Sequence, residues 1–337
     1  MIQDRVKLGP IDANLPGAMV ISMGMYGDII QEVDIEFGFT KRLIEEGMIG
    51  KNVREAQPKF SRIDPESSFL QDRLYCEAVE KITHTSISER TLWIREITTL
   101  LGELNGFLRY LSKMSSRLGI EILTHIILKH RESLLDQIEL LTGSRYGYYY
   151  VIPGGVRYDL TEGFQERLER WVESFTQDFD RIEALFCWTH LFQNRLQSIG
   201  RVADNGRYGF VSESSVETAR FGLVSHVESR LLYVLNQCKS LCEEIQAMFP
   251  ERHTGETLSK LGTQRIAEPV RVKLDTARGG LSIMLWLDKN LIIKTIKTEM
   301  PSDQTRAAII PALEGECYED IPVILESLNF SIPEIDR

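Results

Sequence analysis

The residues able to carry chemistry are few and widely spaced. Five cysteines, Cys76, Cys187, Cys238, Cys242 and Cys317, include no C-x-x-C pair, so the spacing for a redox dithiol or a thiolate metal cage is missing. Cys238 and Cys242 stand four apart in a helix-like stretch, which fits two small buried side chains better than a redox pair. Free thiols in a reducing compartment are expected. Of the six histidines, His125 and His130 come nearest to each other, five apart. That gap aligns two rings on one helix face less well than three or four would. A metal site of local ligands is therefore not expected, which leaves open one assembled from distant residues. Asp64 ahead of Pro65 could form a cavity ion pair with Arg62, or simply act as a helix N-cap. Tyr146, Tyr148, Tyr149 and Tyr150 form either a contact surface or half-buried structure, the commoner fate of clustered tyrosines. Gly154-Gly155 permits a close approach to a partner or a plain turn.

These residues are set in an acidic, ordinary globular composition. The chain has 337 residues, 39 Lys plus Arg against 49 Asp plus Glu, and a net charge of −10. That balance argues against a nucleic-acid protein, which carries a basic stripe. Hydrophobic residues make up 43% and charged residues 26%, too apolar for disorder. No run of eighteen apolar residues occurs, so no direct membrane span is expected. The first residues lack an apolar signal core.

Three regions must position the chemistry. Residues 5–60 read as an N-terminal β-hairpin and loop region, with Ala18–Met23 and Ile29–Ile35 flanking a Gly27-Asp28 turn. Residues 61–250 read as a bundle of long helices. Apolar stripes predict helices opening after Asp64-Pro65, over about 88–118 and 121–141, from about Thr161, and over about 214–248. Residues 265–337 read as strands around Ala277–Gly280 and Asp288–Asn290, then a short helical tail. The expected fold is α+β, mainly α: a central long-helix bundle with a small β appendage, in which the N- and C-terminal strands could pair into one sheet.

The order of short motifs resembles the large quinone-site subunit of respiratory complex I, itself similar to the large subunit of nickel–iron hydrogenases. Gly9-Pro10 and Gly17 resemble the family's G-P-x-H-P-x-x-H-G loop, and Gly38-Phe39 with Glu45 its G-Y-x-H-x-G-x-E-K segment. Ala78-Val79-Glu80-Lys81 is similar to A-V-E-K/R, and Glu103-Leu104-Asn105 to E-L-N-R. The family's upstream I-R falls on Ile97-Thr98 without gaps and on Ile94-Arg95 only with a three-residue shift. Thr142–Arg145, Gly154-Gly155-Val156 and Asp159-Leu160 resemble T-G-x-R…G-G-V-x-x-D-L, the most specific stretch. Arg195 with Gly200 resembles R-x-x-G-x-G with Ser198 at its first Gly. Ala277–Gly280 is similar to A-R-G-E, and the stretch from Leu328 to Arg337 resembles the family's carboxy terminus.

The departures concern the site itself. In the family, a His of the amino-terminal loop and a Tyr before the first helix hold the quinone head group; these positions fall on Pro16 and Pro65. The loop's first His falls on Asp12 and the His of the G-Y-x-H segment on Lys41, while the family's S-H-L becomes Arg109-Tyr110-Leu111. The acid supporting the His aligns with Ile120 or Arg117. Proline offers no side-chain donor and no titratable proton, whereas a quinone becoming a quinol needs both. The thiolate pairs of a nickel–iron centre are absent as well.

The resemblance thus implies a component of a membrane-associated complex, either a respiratory NADH:quinone oxidoreductase or an energy-converting hydrogenase-related one. That component would not be catalytic alone, and its quinone chemistry would be altered or lost. It implies no cofactor bound by this chain, an iron–sulfur cluster in a partner small subunit, and membrane subunits as further partners. The implied place is peripheral, on the cytoplasmic or mitochondrial matrix face of an energy-converting membrane. Arg145, Arg195 and Arg278 are the docking candidates. Two alternatives stand beside this reading: a quinone-reducing subunit using unusual groups such as Asp64 or Tyr110, and a hydrogenase-type assembly factor.

Overall fold

Antiparallel hairpins open and close the helical region. The computed structural model describes residues 4–187, 196, 198–202, 226–250, 253–263, 266 and 268–337. Strands β1 (Asp4–Leu8), β2 (Val20–Tyr26) and β3 (Ile29–Glu36) form one sheet in that order. Tyr26 faces Ile29, so Gly27-Asp28 is the two-residue turn, with Gly27 at φ 57° as such turns require. Two short helices follow, α1 (Ile44–Met48) and α2 (Val53–Phe60). Neither was part of the expected hairpin-and-loop region. Both are too short, and α2 is interrupted by Pro58, to leave a readable period.

The bundle is built from α3 (Ser68–Thr83), α4 (Glu89–Arg117), α5 (Glu121–Thr142), α6 (Phe164–Cys187) and α7 (Val227–Met248). Its local signals are plain. Asp64 caps the 3-10 turn Pro65–Ser67 that opens α3 by accepting from the Glu66 N–H at 3.3 Å. Ser88 Oγ accepts from the Thr91 N–H at 3.1 Å to start α4. Gly143, at φ 72°, ends α5 in the left-handed conformation. Helix α4 is the central element, packing on α3, α5 and α7. The last expected helix begins within the described residues at Val227; its expected earlier part lies outside them.

Between α5 and α6, β4 (Val151–Ile152) and β5 (Gly155–Val156) make a small hairpin. A third sheet contains β6 (Val270–Thr276), β7 (Gly279–Leu287) and β8 (Ile293–Glu299), before α8 (Pro301–Leu313), α9 (Ile321–Ser327) and α10 (Ile332–Ile335). The terminal strands do not share one sheet, contrary to expectation. Each group closes its own three-stranded antiparallel sheet, and each buries its apolar face on different helices. Met19, Ile21, Met23 and Ile30 join the core of α4–α9, whereas Leu281, Ile283 and Leu285 join a second core with α1, α2 and α3. Helix α3 serves both cores: Phe69 and Cys76 face the first, Leu70, Leu74, Tyr75 and Ala78 the second. The architecture is α+β, mainly α.

Candidate functional site

The turn at Pro65 is where the chain's distant charged residues converge. Pro65 is held between Asp64, which is 2% exposed, and Glu66, and the two carboxylates turn to different networks. Asp64 faces the C-terminal segments. Arg278, on the two-residue turn between β6 and β7, donates from Nη1 to Asp64 Oδ2 at 3.4 Å and to Ser67 Oγ at 3.0 Å. The same guanidinium reaches Glu334 of α10 at 3.3 Å and the Asn329 carbonyl at 3.2 Å. Ser302 at the start of α8 donates its hydroxyl to Glu334 as well. Burial, reinforced by Asp64, outweighs Arg278 and raises the Glu334 carboxyl above its ordinary value. Arg278 is therefore directed inward, its guanidinium tying the start of the bundle to the C-terminal helices.

Glu66 faces the bundle. Its carboxylate accepts from Arg131 Nη2 of α5 at 3.0 and 3.1 Å and from Asn105 Nδ2 of α4 at 3.0 Å, with Arg109 Nε at 3.7 Å. Asn105, Arg109, Lys113 and Arg117 recur every four residues and so share one face of α4. Lys113 pairs with Glu326 of α9 at 3.6 Å. Burial, then neighbouring Arg109, pushes its ammonium below the ordinary lysine value. Arg117 donates to the Ala13 carbonyl at 2.8 Å, so this cationic face runs from Pro65 to the amino-terminal loop.

That loop carries Asp12 and Pro16. Asp12 Oδ1 accepts from the Asn14 N–H at 2.8 Å, a local turn contact, and Pro16 is half-buried. A Cβ at Gly17 would lie 2.8 Å from Ile332 Cγ1, which places the loop tightly on α10. Lys41 is exposed, but its neighbour Arg42 donates to the carbonyls of Arg62, Ile63 and Pro333 at 2.7, 2.7 and 2.9 Å. The Gly38 and Thr40 N–H groups donate to Asp336 at 2.8 and 2.9 Å. Asp12, Pro16, Lys41 and Pro65 thus lie on segments joined through α10 and the Pro65 turn.

The remaining candidates are placed differently. Tyr110 is fully buried, and its hydroxyl donates toward the Ser327 carbonyl at 3.4 Å. Burial raises its phenol far above the ordinary value, so it stays protonated. It is committed to α9, whereas Asp64 is committed to Arg278. Arg145 is half-exposed and pairs with Glu132. Arg195 lies outside the described residues. Cys238 and Cys242 are buried thiols raised above their ordinary value by burial, the opposite of an activated pair. Tyr148 lies under Arg62 and Tyr149 under Arg157, at 4.9 and 5.2 Å, as half-buried structure. Among the described residues, no three or more His, Cys, Asp or Glu side chains converge as a metal site.

Two further nodes emerge only in three dimensions. Glu80 of the A-V-E-K segment and Arg95 form a two-point ion pair at 2.6 and 2.9 Å, nearly dry. Arg95 also reaches the carbonyls of Ile152 and Gly155 at 3.0 Å, and Glu80 accepts from the Gly154 N–H at 2.8 Å. Arg95 of the Ile94-Arg95 pair thus has a buried carboxylate partner. Gly155 makes its close approach to the same chain: a Cβ there would lie 2.0 Å from the Thr257 carbonyl oxygen. Glu103 accepts from the Ala277 N–H at 3.1 Å and is pushed up to about 7 by burial. The Glu66–Arg109–Arg131 hub carries no motif. Its only trace in the sequence is the run of charge every fourth residue along α4.

Comparison with known proteins bears out the resemblance. Residues 118–212 match the family of the respiratory-chain NADH dehydrogenase 49 kDa subunit. The chain is 28% identical over 200 residues to the NADH-ubiquinone oxidoreductase 49 kDa subunit of Cafeteria roenbergensis, covering 58% of this chain and 50% of that protein. It is 25% identical to an NADH-quinone oxidoreductase subunit of Thermus thermophilus, covering 98% of this chain and 93% of that one. The matched part spans about half the length of several such relatives. A chain in the structure of the membrane-bound sulfane sulfur reductase, an archaeal respiratory membrane complex, superposes with a TM-score of 0.86 at 20% identity, covering 100% of this chain and 99% of that chain. The fold is the same.

Proposed function

We propose that this chain, a relative of the 49 kDa subunits of respiratory NADH dehydrogenases, is the corresponding peripheral component of a membrane-associated respiratory complex in which the quinone head-group chemistry is altered or lost. One observation carries the reading. The positions for a head-group His and Tyr are Pro16 and Pro65, and the acids flanking Pro65 are both neutralised within the fold, Asp64 by Arg278 and Glu66 by Arg109 and Arg131. Both carboxylates are thereby occupied by arginines of their own chain. Tyr110, the other candidate, is enclosed against α9. What is retained is the framework: the Glu80–Arg95, Glu103–Ala277 and Asp64–Arg278–Glu334 ties hold the motif-bearing segments together. Such a framework serves docking of an iron–sulfur small subunit and membrane subunits, with contacts at Arg145 and Arg195. Among the described residues no helix is long and apolar enough to cross a membrane; attachment then rests on those partners, on the cytoplasmic or mitochondrial matrix face. The 61–250 bundle and the 265–337 segment act as one unit in this reading.

The test is affinity purification from membranes in mild detergent, with protein mass spectrometry and iron and quinone analysis. A stoichiometric complex with an iron–sulfur subunit and membrane proteins is expected. Recovery of the chain alone, or only with an immature small subunit, overturns the reading in favour of an assembly role. A complex that reduces quinone and loses that activity in Tyr110→Phe overturns the altered-chemistry part alone.

A further inference from the structure

We propose that the groove between α5 and α6 is a binding site for a phosphate-bearing ligand, independent of the reading above. The groove has a volume of about 340 Å³. One wall presents Lys129, Ser133 and Gln137, four residues apart along α5; the other presents Arg167, Arg170 and Ser174 along α6. Its floor is Trp171, whose indole N–H already donates to the His130 carbonyl at 3.1 Å, and His130 itself, whose ring pairs with Asp178 at 2.9 Å.

Three features distinguish this place from an ordinary solvated face. First, no carboxylate lines it. Second, none of Lys129, Arg167 and Arg170 forms an ion pair among the described residues, although the chain is acidic and Arg73, Arg90, Arg131 and Arg145 all find carboxylates. Third, Arg167 is fixed by neutral acceptors alone: Gln137 Oε1 at 3.3 Å, the Glu162 carbonyl at 3.0 Å and Thr161 Oγ1 at 3.1 Å. Arg170 gives only its Nε, to the Glu166 carbonyl at 3.1 Å. Both guanidiniums therefore keep charge and spare N–H groups.

Three uncompensated cations around one groove repel one another, and an anion placed among them relieves that repulsion. Guanidinium forks, an ammonium and two serine hydroxyls form the donor set that a tetrahedral oxyanion accepts from. The volume exceeds a bare phosphate, which leaves room for an ester body against His130 and Trp171. The same chemistry could come from a soluble phosphate ester or from the headgroup of an anionic phospholipid.

The test compares the full chain with a Lys129→Gln/Arg170→Gln double variant, which spares the hydrogen-bonded Arg167, after circular dichroism has matched their folds. Titration with inorganic phosphate and with glycerol phosphate forms one arm. Flotation with vesicles of phosphatidylcholine alone, or with phosphatidylglycerol added, forms the other. Saturable binding in either arm, weakened at least about tenfold in the variant and by salt, supports the site. Binding in the first arm only assigns a soluble ester, and flotation only with phosphatidylglycerol assigns a lipid. Absence of binding in both arms, or equal binding by the variant, overturns the proposal.

Discussion

At the scale of single residues, the buried charges are the most informative features because their energetics are steep. Arg278 neutralises Asp64 and Glu334 together. Arg278→Met would leave two carboxylates facing each other with little water, and a loss of about 3–5 kcal/mol is expected in urea denaturation. Glu103 gives a pH-dependent counterpart. Its native carboxyl is pushed up to about 7 by burial, against about 4.3 in an unfolded chain. The native state thus holds this proton more tightly. The associated stability is complete below about pH 4 and lost as pH rises through about 7. Glu103→Gln keeps the acceptor for the Ala277 N–H and removes the titration. The stability of the variant minus that of the native chain should rise by on the order of 3 kcal/mol between pH 4 and pH 8. A flat difference across that range would mean that the carboxyl is hydrated.

At the scale of elements, the long helices follow from periodicity and caps, and each can be weakened in a graded way. Ser88→Ala removes the side-chain acceptor at the start of α4 and should cost about 1 kcal/mol. Leu74→Ala on α3 opens a cavity in the second core, where the side chain is fully buried, and should cost about 2–5 kcal/mol. The two short helices after β3 show the limit of pattern reading. With five and eight residues, α1 and α2 complete too few turns to display a period, and their packing on α3 and the third sheet supplies what propensity does not. The sheets make the same point. Strand existence and the Gly27-Asp28 turn are local properties, but which helices cover a sheet is not, and it is that covering which keeps the terminal strands apart.

At the scale of the whole molecule, the two cores are joined by α3 and by the Arg278 tie. The boundary near residue 61 therefore does not separate independent folding units in our reading. Leu74→Ala in the second core and Leu101→Ala in the first should each shift one common unfolding transition, seen alike by tryptophan fluorescence and far-ultraviolet circular dichroism. Two transitions that respond separately to the two variants would overturn this.

The sequence alone determined the class of the fold, the presence of the long helices α3, α4, α5 and α6 where their apolar stripes run, and the family likeness, because each rests on local period or ordered motifs. It could not decide what the motifs do. Glu80 and Arg95, or Asp64, Arg278 and Glu334, are far apart along the chain and meet only when α3, α4, the β6–β7 turn and α10 pack. Their charged side chains look like surface residues until burial makes a partner obligatory. Tertiary structure alone therefore decided that Arg278 turns inward, that Gly154-Gly155 approaches its own chain, and that Glu66 gathers the cations of α4 and α5 beside Pro65.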